Sequence, residues 1–135
     1  MKGKKTDMKK ILVVAAHPDD EILGVGATVA KHAAQGDEVY ALILGEGQTS
    51  RGEHREDISV DVVKELHQNT LESAEKVGYK EVYFADFPDN RFDQVDLLDV
   101  VKAAEHKIKE IQPEIIYTHY SGDLNIDHQY TARAV

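Results

Sequence analysis

Residues 11–16 read Ile11-Leu12-Val13-Val14-Ala15-Ala16, a continuous apolar run rich in β-branched side chains. A run this short suits a strand, and the absence of polar alternation implies that both of its faces are covered, as in the middle of a parallel sheet. Next to it, Asp20 to Gln35 carries Ile22, Leu23, Val25, Val29, Ala30, Ala33 and Ala34 near helical spacing, with Gly36 where a C-terminal cap belongs. Glu38–Leu44 reads as a second strand, Gly45–Asp57 as a Gly-, Ser- and charge-rich connection, and residues 60–77 as an amphipathic helix stopped by Gly78. A short strand Glu81–Phe84, a loop Ala85–Asp93, a helix from about Asp96 to Ile111 and a strand Ile115–His119 follow, and a last helix starts near Asp127. Strands alternating with helices of this size are βαβ units. Right-handed crossovers stack them into an α/β fold, a Rossmann-like three-layer α/β/α sandwich with a mainly parallel sheet.

The 135 residues amount to one domain, residues 10–135, preceded by a basic segment at 1–9 expected to be flexible. Thr131-Ala132-Arg133-Ala134-Val135 is good helix sequence with no cap, Gly or Pro after it, so the domain reads as cut short at its C-terminus. There are 16 Lys and Arg against 25 Asp and Glu, a formal charge of −9. Five of the lysines lie in the first ten residues, and without that segment the balance is 11 to 24, or −13. So acidic a body repels phosphate backbones and anionic lipid, which argues against nucleic acid and membrane surfaces as partners. A small neutral or cationic molecule is the expected ligand. With no cysteine, neither a disulfide nor a thiolate site is available, and any metal must be held by His and carboxylate. The apolar run Ile11–Ala16 falls far short of the roughly 20 residues that span a bilayer, and no cleavage pattern of a secretory signal follows it. The expected location is cytoplasmic.

In open parallel α/β sheets the ligand crevice lies at the carboxyl ends of the strands, so polar residues just after a strand are the candidates for function. The first strand delivers His17-Pro18-Asp19-Asp20-Glu21; the last delivers His119, then Asp123, Asn125, Asp127 and His128. Asp19 or Asp20 could simply cap the following helix, with Glu21 favoured by its dipole. A cap leaves His17 unexplained. The alternative uses His17 and Asp20 as two metal ligands from one turn and His128 as a third, two imidazoles and a carboxylate being a common set for catalytic zinc. Asp19 is then spare, placed to act as general base on a metal-bound water. The same donor set also accepts Fe2+ or another divalent transition metal.

Ala16-His17-Pro18-Asp19-Asp20-Glu21 after an apolar first strand resembles the signature of the PIG-L/LmbE-like family of zinc-dependent N-acetylglucosamine deacetylases. The strand and helix order of the whole chain is similar to that family's Rossmann-like fold. The resemblance implies that His17 and Asp20 bind zinc and that Asp19 is the base. The family's second signature, His-Pro-Asp-His, corresponds to Asn125-Ile126-Asp127-His128, which puts His128 in the third ligand place. Asn125 stands where a histidine often stabilises the oxyanion. Three readings follow: Asn125 is a neutral donor, His119 supplies the imidazole, or the activity differs; His119 is preferred. Asp127 would orient a ligand ring. Family domains are longer than this chain, so later strands and a wall of the pocket are expected to be missing from it.

Two loops at the same sheet end suit a sugar. Gly45–Arg51 is flexible and hydroxyl-rich, and Phe87–Asp93 offers Asp89 and Asn90 to hydroxyls and Arg91 as a clamp. The resemblance favours Arg51, Asp89 and Asn90 as substrate residues. His32, His54, His67 and His106 are expected on the surface, and Gly24-Val25-Gly26, inside a helix, is not a dinucleotide fingerprint. The leading expectation is a metal-dependent hydrolase removing the N-acetyl group from an N-acetylglucosamine-type sugar or conjugate. The alternatives are a receiver-like, magnesium-binding signalling domain with Asp86 as phosphoacceptor, or an inactive fragment that forms a homo-oligomer through its open sheet edge.

Overall fold

The computed structural model describes residues 7–135, and the flexibility expected of segment 1–9 falls largely on residues 1–6, outside the described residues. Strand β1 (Lys10–Ala15) lies inside a four-stranded parallel sheet of order β3-β2-β1-β4, with β2 at Glu38–Gly45, β3 at Glu81–Phe87 and β4 at Ile115–Tyr117. Leu12 sits opposite Tyr40 on one side and Ile116 on the other. Every residue from Ile11 to Ala16 is at most 3% exposed, because helices cover both faces. Leu12, Val14 and Ala16 pack with Phe92 and with Val100 and Ile111 of α4 (Leu97–Ile111), while Tyr130 and Ala134 of α5 (Ile126–Ala134) border the same cluster. Ile11 and Val13 pack with Val29 of α2 (Gly26–Ala34) and Ala74 of α3 (Val60–Val77). The three-layer parallel α/β sandwich expected from the strand and helix alternation is the fold observed.

The chain steps from β1 to β2 to β3 in one direction and then returns to place β4 on the other flank of β1. That reversal leaves a crevice at the carboxyl ends of β1 and β4, where His17 and His119 leave the sheet.

Several boundaries differ from the sequence expectation. The single helix over 20–35 is two, α1 (Asp20–Leu23) and α2, broken at Val25 with φ −134° and ψ 11°. Apolar spacing reports which side of a helix is buried and not where its axis turns. Strand β3 continues past Phe84 to Phe87, through a register shift opposite Ile43 and Gly45 where Asp86 takes φ 57°. Strand β4 stops at Tyr117 rather than His119 because side chains take over its ladder: Thr118 Oγ1 donates to the Val14 carbonyl at 2.9 Å, and His119 Nε2 accepts from Ala16 N at 2.9 Å. Gly45 is required by close approach, since a Cβ there would lie 2.6 Å from the Ala16 carbonyl oxygen, to which Gly45 N donates.

Glu21 is 1% exposed and both of its carboxylate oxygens are buried without a hydrogen-bond partner. Burial pushes its carboxyl up to about 7. A group whose pKa is raised on folding contributes stability that is fully present below its unfolded value and lost as pH rises through its folded value. Glu21→Gln should therefore raise the stability of the fold on the order of 2 kcal/mol at pH 8 and by much less at pH 4.5, as read by urea unfolding at both pH values.

Candidate active site

The turn that follows β1 has an unusual backbone. Asp19 adopts φ 93° and ψ −29°, a left-handed conformation that costs an L residue on the order of 1–3 kcal/mol. Its carbonyl accepts from Ile22 N and Leu23 N at 3.0 and 2.8 Å, starting α1 through the backbone, while its side chain makes no capping bond. The capping role open to Asp19 is therefore not taken, and its exposed carboxylate lines a cavity. Asp20 turns the other way, its Oδ2 accepting from His17 N at 3.0 Å.

Three donor atoms converge on this turn. His17 Nδ1 lies 3.4 Å from Asp20 Oδ2, and His128 Nε2, brought by the first turn of α5, lies 3.1 Å from the same oxygen. Each imidazole has its opposite nitrogen on another carboxylate: His17 Nε2 is 2.7 Å from Asp127 Oδ2, and His128 Nδ1 is 3.1 Å from Asp123 Oδ2. A carboxylate behind a histidine fixes ring and tautomer and leaves the forward nitrogen with a lone pair, the arrangement that orients metal-ligating histidines. The spacing fits as well, since two metal–ligand bonds of about 2.1 Å at a tetrahedral angle hold their donors about 3.4 Å apart. His17, Asp20 and His128 can hold a metal ion together.

Electrostatics agree with that geometry. Burial opposes protonation of His17, but its hydrogen bonds to Asp127 and Asp20, and the charges of both, outweigh burial and raise it to about 9. Burial also opposes ionisation of Asp20, yet the bond to His17 and the facing imidazoles hold it below the usual carboxylate range. The site is built to surround positive charge.

Asp127 is fully buried and accepts three bonds, from His17, from Asn90 N at 2.6 Å and from Phe92 N at 3.0 Å. His119 stacks on His128 with ring centroids 3.9 Å apart and lies 3.6 Å from Asp20 Oδ2, its Nε2 occupied by Ala16 N. Burial and the neighbouring His128 hold it below the ordinary imidazole value, and its ring forms a wall behind that of His128. His119 is absent from the cavity beside Asp19. That cavity, of about 230 Å³, brings together His17, Asp19, Arg51, Asp89, Asn90 and Asn125.

The loop carrying Arg51 is held by an element missed in the sequence. Buried Glu46 accepts Arg55 Nε and Nη2 at 2.5 and 2.9 Å and the Thr49 hydroxyl at 2.8 Å, and Ser50 then donates its hydroxyl to Asp89 Oδ2 at 2.7 Å. In sequence, Glu46 and Arg55 look like two charges in a solvated loop; only the fold shows them paired. Asp123, noted after the last strand without a role, holds His128. Two of the histidines expected on the surface are half-buried instead: His32 lies between Asp37 and Tyr117 at 2.8 and 2.9 Å, and His67 stacks on Phe84 and approaches Asp86 at 3.2 Å. Asp86 thus lies beside His67 and is not among the residues of this cavity.

Residues 12–135 match the sequence profile of the family described as PIG-L, GlcNAc-PI de-N-acetylase. The chain belongs to the PIG-L family. Among curated PIG-L relatives, a probable N-acetyl-α-D-glucosaminyl L-malate deacetylase 2 of Bacillus cereus is 32% identical over 94% of this chain and 59% of its own length. Of solved structures, N,N′-diacetylchitobiose deacetylase from Pyrococcus horikoshii superposes with a TM-score of 0.81 at 23% identity, covering 95% of this chain and 48% of that one. The 4-carboxy-2-hydroxymuconate hydratase from Pseudomonas putida superposes with a TM-score of 0.77 at 26% identity, covering 94% of this chain and 54% of that one. The chain spans less than two thirds of the length of the first curated relatives it matches. PIG-L membership replaces the receiver-like alternative. Among the described residues no helix is long and apolar enough to cross a membrane.

A divalent metal entering this PIG-L site must displace the proton that His17 holds up to about pH 9. Zn2+ affinity measured by calorimetry should therefore weaken about tenfold for each pH unit below that value, with release of close to one proton per ion. Asp127→Asn should lower that affinity by about 10–100-fold, and His128→Ala should reduce bound metal to background.

Proposed function

We propose that this chain carries a zinc-dependent N-deacetylase site, hydrolysing the acetamido group of an N-acetylglucosamine-type sugar or sugar conjugate. The observation that carries this reading is the pairing of a three-donor site backed by two carboxylates with a spare carboxylate, Asp19, turned out into the adjacent cavity. The hydratase among the structural neighbours shows that the fold alone does not select the reaction, so the reading rests on the side chains. Deacetylase names among the relatives agree with it.

His17, Asp20 and His128 would hold the ion, and two imidazoles with one carboxylate suit Zn2+ and also Fe2+. Such an ion, when bound, lowers the pKa of water and polarises a carbonyl. The remaining work belongs to the chain. Asp127 and Asp123 keep the two rings turned inward, and His119 backs His128. Arg51, Asp89 and Asn90 face the sugar hydroxyls, with Asp89 held by Ser50. Asp19 takes a proton as the water oxygen bonds to the amide carbon. It returns that proton to nitrogen as the C–N bond breaks, leaving acetate and a free amine. Its strained backbone keeps the carboxylate away from the helix N-terminus, where it would otherwise be used as a cap.

The test is to incubate the chain with N-acetylglucosamine and N,N′-diacetylchitobiose and to quantify acetate and free amine. Equal yields of both are expected, abolished by chelation and restored by Zn2+. Asp19→Asn should lower kcat by about 10²–10⁴-fold with bound metal unchanged. A Zn2+-loaded chain that yields no amine from any N-acetyl sugar would sink the reading.

A further inference from the structure

The donors of the candidate metal site are divided between two cavities. His17 lines the one beside Asp19, whereas Asp20 and His128 line a second, of about 340 Å³, together with His119. Donors bordered by open space get less support from close packing, so their directions depend on specific bonds. Asp127 and Asp123 supply two such bonds, behind His17 and His128. Neither fixes the backbone from which His17 leaves β1. His119 does: its Nε2 accepts from Ala16 N at 2.9 Å, while the Ala16 carbonyl accepts from Gly45 N at 2.7 Å, so the residue before His17 is bonded toward both β4 and β2. The last backbone pair between β1 and β4 is Val13 with Tyr117, and at Ala16 an imidazole takes the place of a strand neighbour's carbonyl. Ala16 is fully buried, and without that acceptor its N–H would be unpaired in the interior. An N–H can only donate, which puts the His119 lone pair at Nε2 and the hydrogen at Nδ1. Asp20 Oδ2, 3.6 Å from that Nε2, therefore faces a lone pair and receives from His119 no bond that would compete with an ion. The ring face is used as well, stacked on His128 at 3.9 Å with 15° between the planes.

We propose that His119 is a positioning residue for the metal site: its bond to Ala16 N holds the exit of β1 on the course that aims His17 and Asp20 at the ion, and its ring keeps His128 from turning into the second cavity. The proposal rests on the metal-binding part of the N-deacetylase reading and adds a third support to the two carboxylates. His119 is not itself a ligand, because the lone pair that a metal would need is taken by Ala16 N–H. The bond to Ala16 carries most of the effect, since it sets the direction of two donors at once, and the stack on His128 carries the remainder.

Three variants separate the bond from the bulk. His119→Phe keeps a flat ring of similar size and removes the acceptor. His119→Gln puts an amide oxygen where Nε2 stands, and His119→Asn stops one bond short of Ala16. Zn2+ affinity is read by competition with a chromogenic chelator, and site geometry by the visible absorption of the Co2+-loaded chain, both well below the unfolding midpoint. The Phe and Asn chains should bind one Zn2+ per chain about 10–100-fold more weakly than the parent, with shifted Co2+ bands, and the Gln chain should recover affinity to within about fivefold of the parent. Should the Phe chain not fold, the Gln and Asn chains decide, because they differ by one methylene. A folded Phe or Asn chain within about threefold of the parent in affinity, with the parent's Co2+ spectrum, would show that His119 only fills space. A Gln chain no better than the Asn chain overturns the assignment too, and one that binds no Zn2+ would make His119 a ligand. No substrate enters these measurements. A parent that binds Zn2+ and releases no acetate therefore overturns the N-deacetylase reading alone, and a parent that binds no Zn2+ overturns both.

Discussion

One buried carboxylate ties the molecule's working end together. Asp127 is fully buried, yet it joins three segments remote in sequence: the exit of β1 through His17, the loop after β3 through the backbone of Asn90 and Phe92, and α5, on which it sits. A lone ionised carboxylate in that position would be very costly, and the cost is offset by three donors and the positive end of α5. Each bond also fixes a direction. The His17 ring cannot rotate, the loop after β3 cannot lift, and α5 cannot slide without leaving a charge unpaired in the interior.

The two imidazoles of the site are treated alike by elements of unlike origin. His17 comes from the turn after β1 and is backed by Asp127, whereas His128 comes from α5 and is backed by Asp123 in the loop before it. The switch in strand order between β1 and β4 makes the meeting possible, because the two strands lie side by side with both carboxyl ends at one edge of the sheet. The substitution of side-chain bonds for backbone ladder at Thr118 and His119 then ends β4 early and turns the loop toward the first strand. Strand termination and site assembly are one event here.

Much of this was legible in the residues alone. An apolar run without polar alternation identified β1 as buried on both faces, and the rule that ligands gather at strand carboxyl ends pointed to the segments whose His17, Asp20 and His128 the fold brings together. The break at Val25 was not legible, because spacing of apolar residues carries no information on axis direction. Nor were the surroundings of the residues after β4. His119 and Asn125 are both polar residues after the last strand, and only the bond from Ala16 N to one and the helix cap on the other separate them. The Glu46–Arg55 pair was hidden for a different reason: a charged loop looks solvated until the fold closes over it.

The left-handed backbone at Asp19 sets stability against the proposed chemistry at a single position. Glycine would relax the strain and remove the carboxylate in one step. Selection for heat resistance alone would thus favour the replacement that removes the proposed base, and a library screened only by melting would drift toward well-folded proteins without it.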